Sequence, residues 1–134
     1  MTEAEAAINA AALVRQFYRC RRRGDPEGLR SLMAADVVWR EPVVGDHMGE
    51  LSGADAVIDM MSRAQSATGG SFILEVGETI ATANGCAAVI EWRAEKTSGP
   101  INGRELAVFR FKAGLISEAW FIPEAIGDDQ AFWA

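Results

Sequence analysis

A chain of 134 residues, 49% hydrophobic and 24% charged, has the make-up of one globular domain and is too apolar to be disordered. Its formal net charge of −6 argues against nucleic acid or an anionic membrane surface as a partner, since both recruit basic patches. Two cysteines, Cys20 and Cys86, are too few for a disulfide framework and their spacing fits no metal motif, so buried thiols in a reducing compartment are expected.

Thr2 and Glu5 have the spacing of a capping box, and Ala6, Ala10, Leu13, Phe17 and Cys20 form one helical stripe widened by Val14 and Tyr18. The spacing predicts a helix to about Arg23, stopped by Gly24. Arg19 and Arg21-Arg22-Arg23 then fall at its C-terminus, where they favour the helix dipole and need no further role. Asp25-Pro26 opens a short second helix with Leu29, Leu32 and Met33 on its buried side.

From Asp36 the pattern changes to alternation. Val37, Trp39 and Glu41 share one face of a strand, with Asp36, Val38 and Arg40 on the other, and Pro42 halts the pairing. A carboxylate at the mouth of an apolar face is a candidate general base, because desolvation lifts it above the ~4.3 of free Glu. His47, the sole histidine, follows in the Gly-rich loop Gly45–Gly49, either solvated or a proton shuttle on a pocket rim. A lone histidine argues against a zinc or iron site, so no metal and no cofactor are expected.

Ser52 is positioned to cap a third helix carrying Val57, Met60, Met61 and Ala64, closed by Thr68-Gly69-Gly70. Strands are predicted at 71–79, 86–96, 104–111 and 115–122, divided by Asn84-Gly85, by Ser98-Gly99-Pro100 with Asn102-Gly103, and by Lys112-Ala113-Gly114. Helices first and a four-stranded meander after them imply an α+β fold, three helices on one face of a mainly antiparallel sheet. No apolar run approaches the ~20 residues of a membrane span. The start of the chain lacks the charged lead and apolar core of a signal peptide, so a cytoplasmic protein is expected.

These motifs carry a resemblance. Gly24-Asp25, the Leu29…Leu32-Met33 helix, Ala35-Asp36-Val37-Val38-Trp39, Glu41-Pro42, and Gly53 opening a helix resemble the nuclear transport factor 2-like superfamily. Val108-Phe109-Arg110-Phe111, Gly114-Leu115-Ile116, Glu118-Ala119-Trp120 and the late Asp128…Phe132-Trp133 extend the likeness over nearly the whole chain. Within the superfamily the chain most resembles the SnoaL-like polyketide cyclase and ketosteroid isomerase group. The resemblance implies a cone-shaped curved sheet, antiparallel or mixed, wrapped around the helices, a hydrophobic pocket, and a homodimer through the sheet's outer face. Carried over residue by residue, the isomerase base falls on Glu41, its oxyanion Tyr on Phe17 with Tyr18 one step off, and its oxyanion Asp on Ala107. Both of its electrophilic partners are replaced by apolar residues.

The implied pocket is lined by Phe17, Trp39, Met60, Ala107, Phe109 and Phe121. Alignment with the isomerase pattern also turns Val89, Glu91 and Arg93 inward, a carboxylate–guanidinium arrangement similar to that of limonene epoxide hydrolase. Alternation alone leaves a second reading open, in which Glu91, Arg93 and Glu95 form a solvated face and Trp92 faces the core. Tyr18 is likewise open, either on the helix surface or a donor turned into the pocket. The function expected is binding of a small apolar, cyclic or polyketide-like molecule. Any catalysis would be cofactor-free isomerisation or cyclisation, with Glu41 as base assisted by His47 or Tyr18. The alternatives are a non-catalytic carrier, a dimerisation module using Val108, Trp120 and Ile122, and an epoxide hydrolase-like enzyme.

Overall fold

The structure is a computed structural model that describes residues 1–42 and 49–134. Helix α1 (Glu3–Arg23) begins on the expected capping box, with the Glu5 backbone N–H donating to Thr2 Oγ1 at 3.1 Å, and ends at Gly24, whose φ of 63° is the left-handed cap. Helix α2 (Pro26–Leu32) is capped by Asp25, which accepts from the Gly28 N–H at 2.9 Å. Strand β1 (Met33–Arg40), the short β2 (Glu50–Ser52) and helix α3 (Ala54–Ala67) follow. Strands β3 (Ile73–Thr82), β4 (Gly85–Lys96), β5 (Gly99–Lys112) and β6 (Leu115–Pro123) complete the sheet, and a terminal helix α4 (Ile126–Trp133) closes the chain.

The sheet order is β2-β1-β6-β5-β4-β3, antiparallel throughout except that β1 lies parallel to β6. The α+β expectation therefore holds, with a mixed sheet. Register shifts between Val76 and Thr79, between Arg110 and Phe111, and between Met33 and Val38 are the irregularities that bend strands and deepen their twist. Helix α1 packs on the inner face, where Val14 and Phe17 meet Val37, Trp39, Phe109 and Ile90, all fully buried.

Two local expectations are corrected. Ser52 does not cap α3: it is spent in β2, paired with Val38, and Gly53 takes the cap position at a φ of 95° without a side-chain hydrogen bond. Asn102-Gly103 is no turn, because the reversal is complete before Gly99 and β5 runs straight through it. Gly103 lies opposite Trp92, and a Cβ there would stand 2.3 Å from the indole Cε2, so the residue is glycine to admit a ring.

Helix α4 lies outside the sequence expectation. It docks through Phe132 and Trp133, which join Phe72 and Trp92 in a four-ring cluster with centroids 4.9–6.3 Å apart. Lys96 Nζ donates to the Phe132 carbonyl at 2.8 Å, neutralising the helix's negative end.

Candidate functional site

Strand β1 delivers Glu41 as anticipated. Val37 and Trp39 are wholly buried on the inner face, and the chain continues that face by one more alternation to a half-buried Glu41. Trp39 Nε1 donates to Glu41 Oε1 at 2.8 Å, and the Glu41 backbone N–H donates to the Gly49 carbonyl at 2.8 Å. Burial raises the Glu41 pKa above the ordinary carboxylate value. The Trp39 hydrogen bond and the Arg21 charge pull it back, and Asp129 pushes it up again.

A second acid completes the arrangement, one that the sequence did not disclose. Glu105 of β5 sits opposite Ile90 and two residues before Ala107, on the same inward face. Burial is the main cause that lifts its pKa to about 8, with the Glu41 charge adding to the lift and Arg21 opposing it. At neutral pH Glu105 is therefore a neutral acid and hydrogen-bond donor. Ala107 itself is buried and apolar, so the inward carboxyl stands one alternation away from the position that the resemblance implied.

Tyr18 is settled as an interior residue. It is 3% exposed, its ring packs edge-on against Phe17 and Phe109, and its hydroxyl is buried with no hydrogen-bond partner among the described residues. Burial first, and then Glu105, hold its pKa well above that of a free phenol, with smaller upward pushes from Glu41 and Cys86 against Arg21. The reason for its inward turn is that the buried stripe of α1 spans Val14, Phe17, Tyr18 and Cys20, wider than an a/d seam.

Arg21 needs more than the dipole role given to it from the sequence. One turn beyond Phe17, it is half-buried and stacks over the Phe72 ring at 5.4 Å. It is the cation whose field reaches Tyr18, Glu41 and Glu105 together.

The wall between these groups is aromatic. Trp39 lies 4.5 Å from Phe121, Phe109 lies 6.0 Å from Phe121, and Phe17 bridges Trp39 and Phe109. Met60 of α3 is partly buried against the same core. His47 lies outside the described residues. Among those residues no group of three or more His, Cys, Asp or Glu side chains is arranged to hold a metal ion.

Val89, Glu91 and Arg93 are corrected. Cys86, Ala88, Ile90, Trp92 and Ala94 occupy the inner face of β4, so strict alternation turns Val89, Glu91, Arg93 and Glu95 outward. Glu91 and Arg93 instead line an outer groove of about 380 Å³, with Glu75, Asn102, Arg104 and Glu124. Arg93 meets Glu75 at 3.7 Å and Arg104 meets Glu124 at 2.7 Å, a solvated ion-pair mesh.

Comparison with known proteins agrees with this fold. The model of the SnoaL-like domain family matches residues 14–119. No curated protein sequence gives a significant match. Among solved structures, Bal32a from a soil-derived mobile gene cassette is similar at 22% identity, with 96% of this chain and 99% of that chain covered and a TM-score of 0.91. TerC, co-crystallized with polyporic acid, is similar at 17% identity over 94% of this chain and 99% of that one, with a TM-score of 0.79. Rv0760c from Mycobacterium tuberculosis, in complex with estradiol-17beta-hemisuccinate, is similar at 24% identity over 84% and 92%, with a TM-score of 0.70.

Proposed function

The chain belongs to the SnoaL-like domain family, and from that premise we propose that it binds an apolar cyclic molecule and moves a proton on it without a cofactor. The observation that carries this reading is the pairing of Glu41 and Glu105, two inward carboxyls both lifted in pKa by burial, beside a Tyr18 hydroxyl without a partner among the described residues. Glu41 takes a proton from a carbon next to a carbonyl. Tyr18 and protonated Glu105 then donate to the oxygen on which negative charge develops, and the proton returns at another carbon. The rings bound by TerC and Rv0760c favour a ligand of that general shape.

Turnover of cyclic ketones, followed by proton–deuterium exchange at the activated carbon, tests the assignment. Glu41→Gln should lower the rate by ~10²–10⁴-fold while leaving binding within a few-fold of wild type. Unchanged exchange in Glu41→Gln would remove Glu41 as base. Binding with no exchange in either protein favours the carrier reading. The epoxide hydrolase-like reading loses its support, since it needs Glu91 and Arg93 facing inward.

The outer sheet face favours a homodimer in addition. Ile80 is 79% exposed and Ile122 58% exposed, and both flank Val108 and Trp120 in the strand register. Trp120 is held flat under Arg40 and Arg110, whose guanidinium carbons lie 4.9 and 5.5 Å from its ring centre. Sedimentation velocity should give twice the chain mass for wild type and the single-chain mass for Trp120→Glu. A wild-type monomer at high micromolar concentration overturns the dimer.

A further inference from the structure

We infer that Arg21 is the anchor for an ionised oxygen on the ligand, so that the site selects apolar ring compounds carrying a carboxylate, sulfonate or enolate over their neutral counterparts. The inference rests on the small-molecule reading above and narrows it to a chemical class.

The argument is a count of donors against acceptors. Arg21 presents five N–H donors and, among the described residues, makes no ion pair or side-chain hydrogen bond, although Arg22 and Arg23 beside it pair with Glu75 and Asp25. The Tyr18 hydroxyl is a second donor, buried and without an acceptor among the described residues. Glu105 keeps its proton up to about pH 8, which makes it a third. The acceptor side is thin: Glu41 already receives Trp39 Nε1 on one oxygen. A site with surplus donors is completed by an acceptor, and a guanidinium is completed best by an anion.

Stacking on Phe72 fixes where that anion would sit. The Arg21 guanidinium carbon lies 5.4 Å from the centre of the Phe72 ring, beside the four-ring cluster under α4. A flat apolar ligand entering beside Phe72 would bring an acidic substituent to Arg21. The titratable and charged groups facing this point are Tyr18 from α1, Glu41 after β1, Cys86 from β4, Glu105 from β5 and Asp129 from α4. Ionisation of Glu105 removes a donor and adds a negative charge, so the preference for an anion should shrink as pH rises through about 8.

Fluorescence titration with anilinonaphthalenesulfonate and with phenylnaphthylamine, the same ring skeleton without the sulfonate, tests this directly. Wild type should bind the sulfonate at least ~10-fold tighter than the neutral probe at pH 7, the usual worth of a hydrogen-bonded charge. Arg21→Gln should erase that preference by weakening the sulfonate alone, Arg21→Lys should keep much of it, and Arg22→Gln should leave both affinities unchanged. Above pH 8 Glu105→Gln should retain the preference that wild type loses. Equal affinities in wild type, or equal weakening of both probes by Arg21→Gln, overturn the inference and leave the pocket reading standing. If wild type binds neither probe, the small-molecule reading falls and this inference falls with it.

Discussion

Replacing Trp39 with alanine should cost the fold about 3–5 kcal/mol, the upper range for a buried aromatic. The indole is wholly buried, 4.5 Å from Phe121 of β6 and 5.8 Å from Phe17 of α1, so it packs against rings from two other elements. Removing it leaves a cavity that three neighbouring rings fill only in part. Trp39→Phe separates packing from hydrogen bonding. It keeps most of the apolar area but strips Glu41 of its Nε1–H donor, so stability should fall by only ~1–2 kcal/mol. The Glu41 carboxyl should then titrate at higher pH than in wild type, because the lost hydrogen bond favoured its charged form. Urea unfolding with carbon-13 NMR of labelled glutamate reads both quantities. A Trp39→Ala protein within 1 kcal/mol of wild type would contradict the packing assigned here.

The second large effect is on the pH dependence of stability. Unfolded, Glu105 releases its proton near 4.5, whereas folded it holds on until about pH 8. Between those values the native state binds more protons than the unfolded chain, so stability falls as pH climbs. The full contribution is present below the unfolded value and is lost through the folded one. Glu41 and Asp129 are shifted in the same direction by burial and act with the same sign. Glu105→Gln removes the largest part of this slope. Relative to wild type the variant should be near-equal at pH 5 and more stable by about 4 kcal/mol at pH 9. Parallel stability curves for the two proteins would show that Glu105 reaches water in the folded state.

How far the site could be read from the chain depended on whether its signals were local. The capping box at Thr2, the stop at Gly24 and the alternation that ends in Glu41 are all written within a few residues, and each appears in the structure. Glu105 was hidden because Arg104 and Glu105 are adjacent charges on a strand. Alternation back from Ala107 and Phe109 points to Glu105, but with a turn expected at Asn102-Gly103 it falls at the outermost start of the strand, where the choice of face is open. That choice is made across the sheet, where Trp92 seats on Gly103 and fixes the register two residues away. The same glycine, next to Asn102, imitates a hairpin turn and shortens the strand in a reading from sequence. Arg21 was masked by its neighbours: within a basic run at a helix end, only the turn of the helix distinguishes the residue facing Phe72 from those facing solvent. Helix α4 is eight residues long and has no side-chain cap, so its position depends on rings contributed by Phe72 and Trp92. Asp129 could not be placed without them.

The parallel pairing of β1 with β6 has a bearing on synthesis. Arg40 and Glu118 stand 78 positions apart in the chain, so the strand that carries Trp39 and Glu41 gains its second neighbour, β6, only when nearly all of the polypeptide has left the ribosome. Until then β1 has only the short β2 beside it, and the edge of Val37-Val38-Trp39 that β6 will cover stays open and adhesive. The candidate binding groups from α1, β1, β5 and α4 thus come together in a single late event. A nascent chain truncated before β6 should behave as a client for chaperones, with no partly active form along the way.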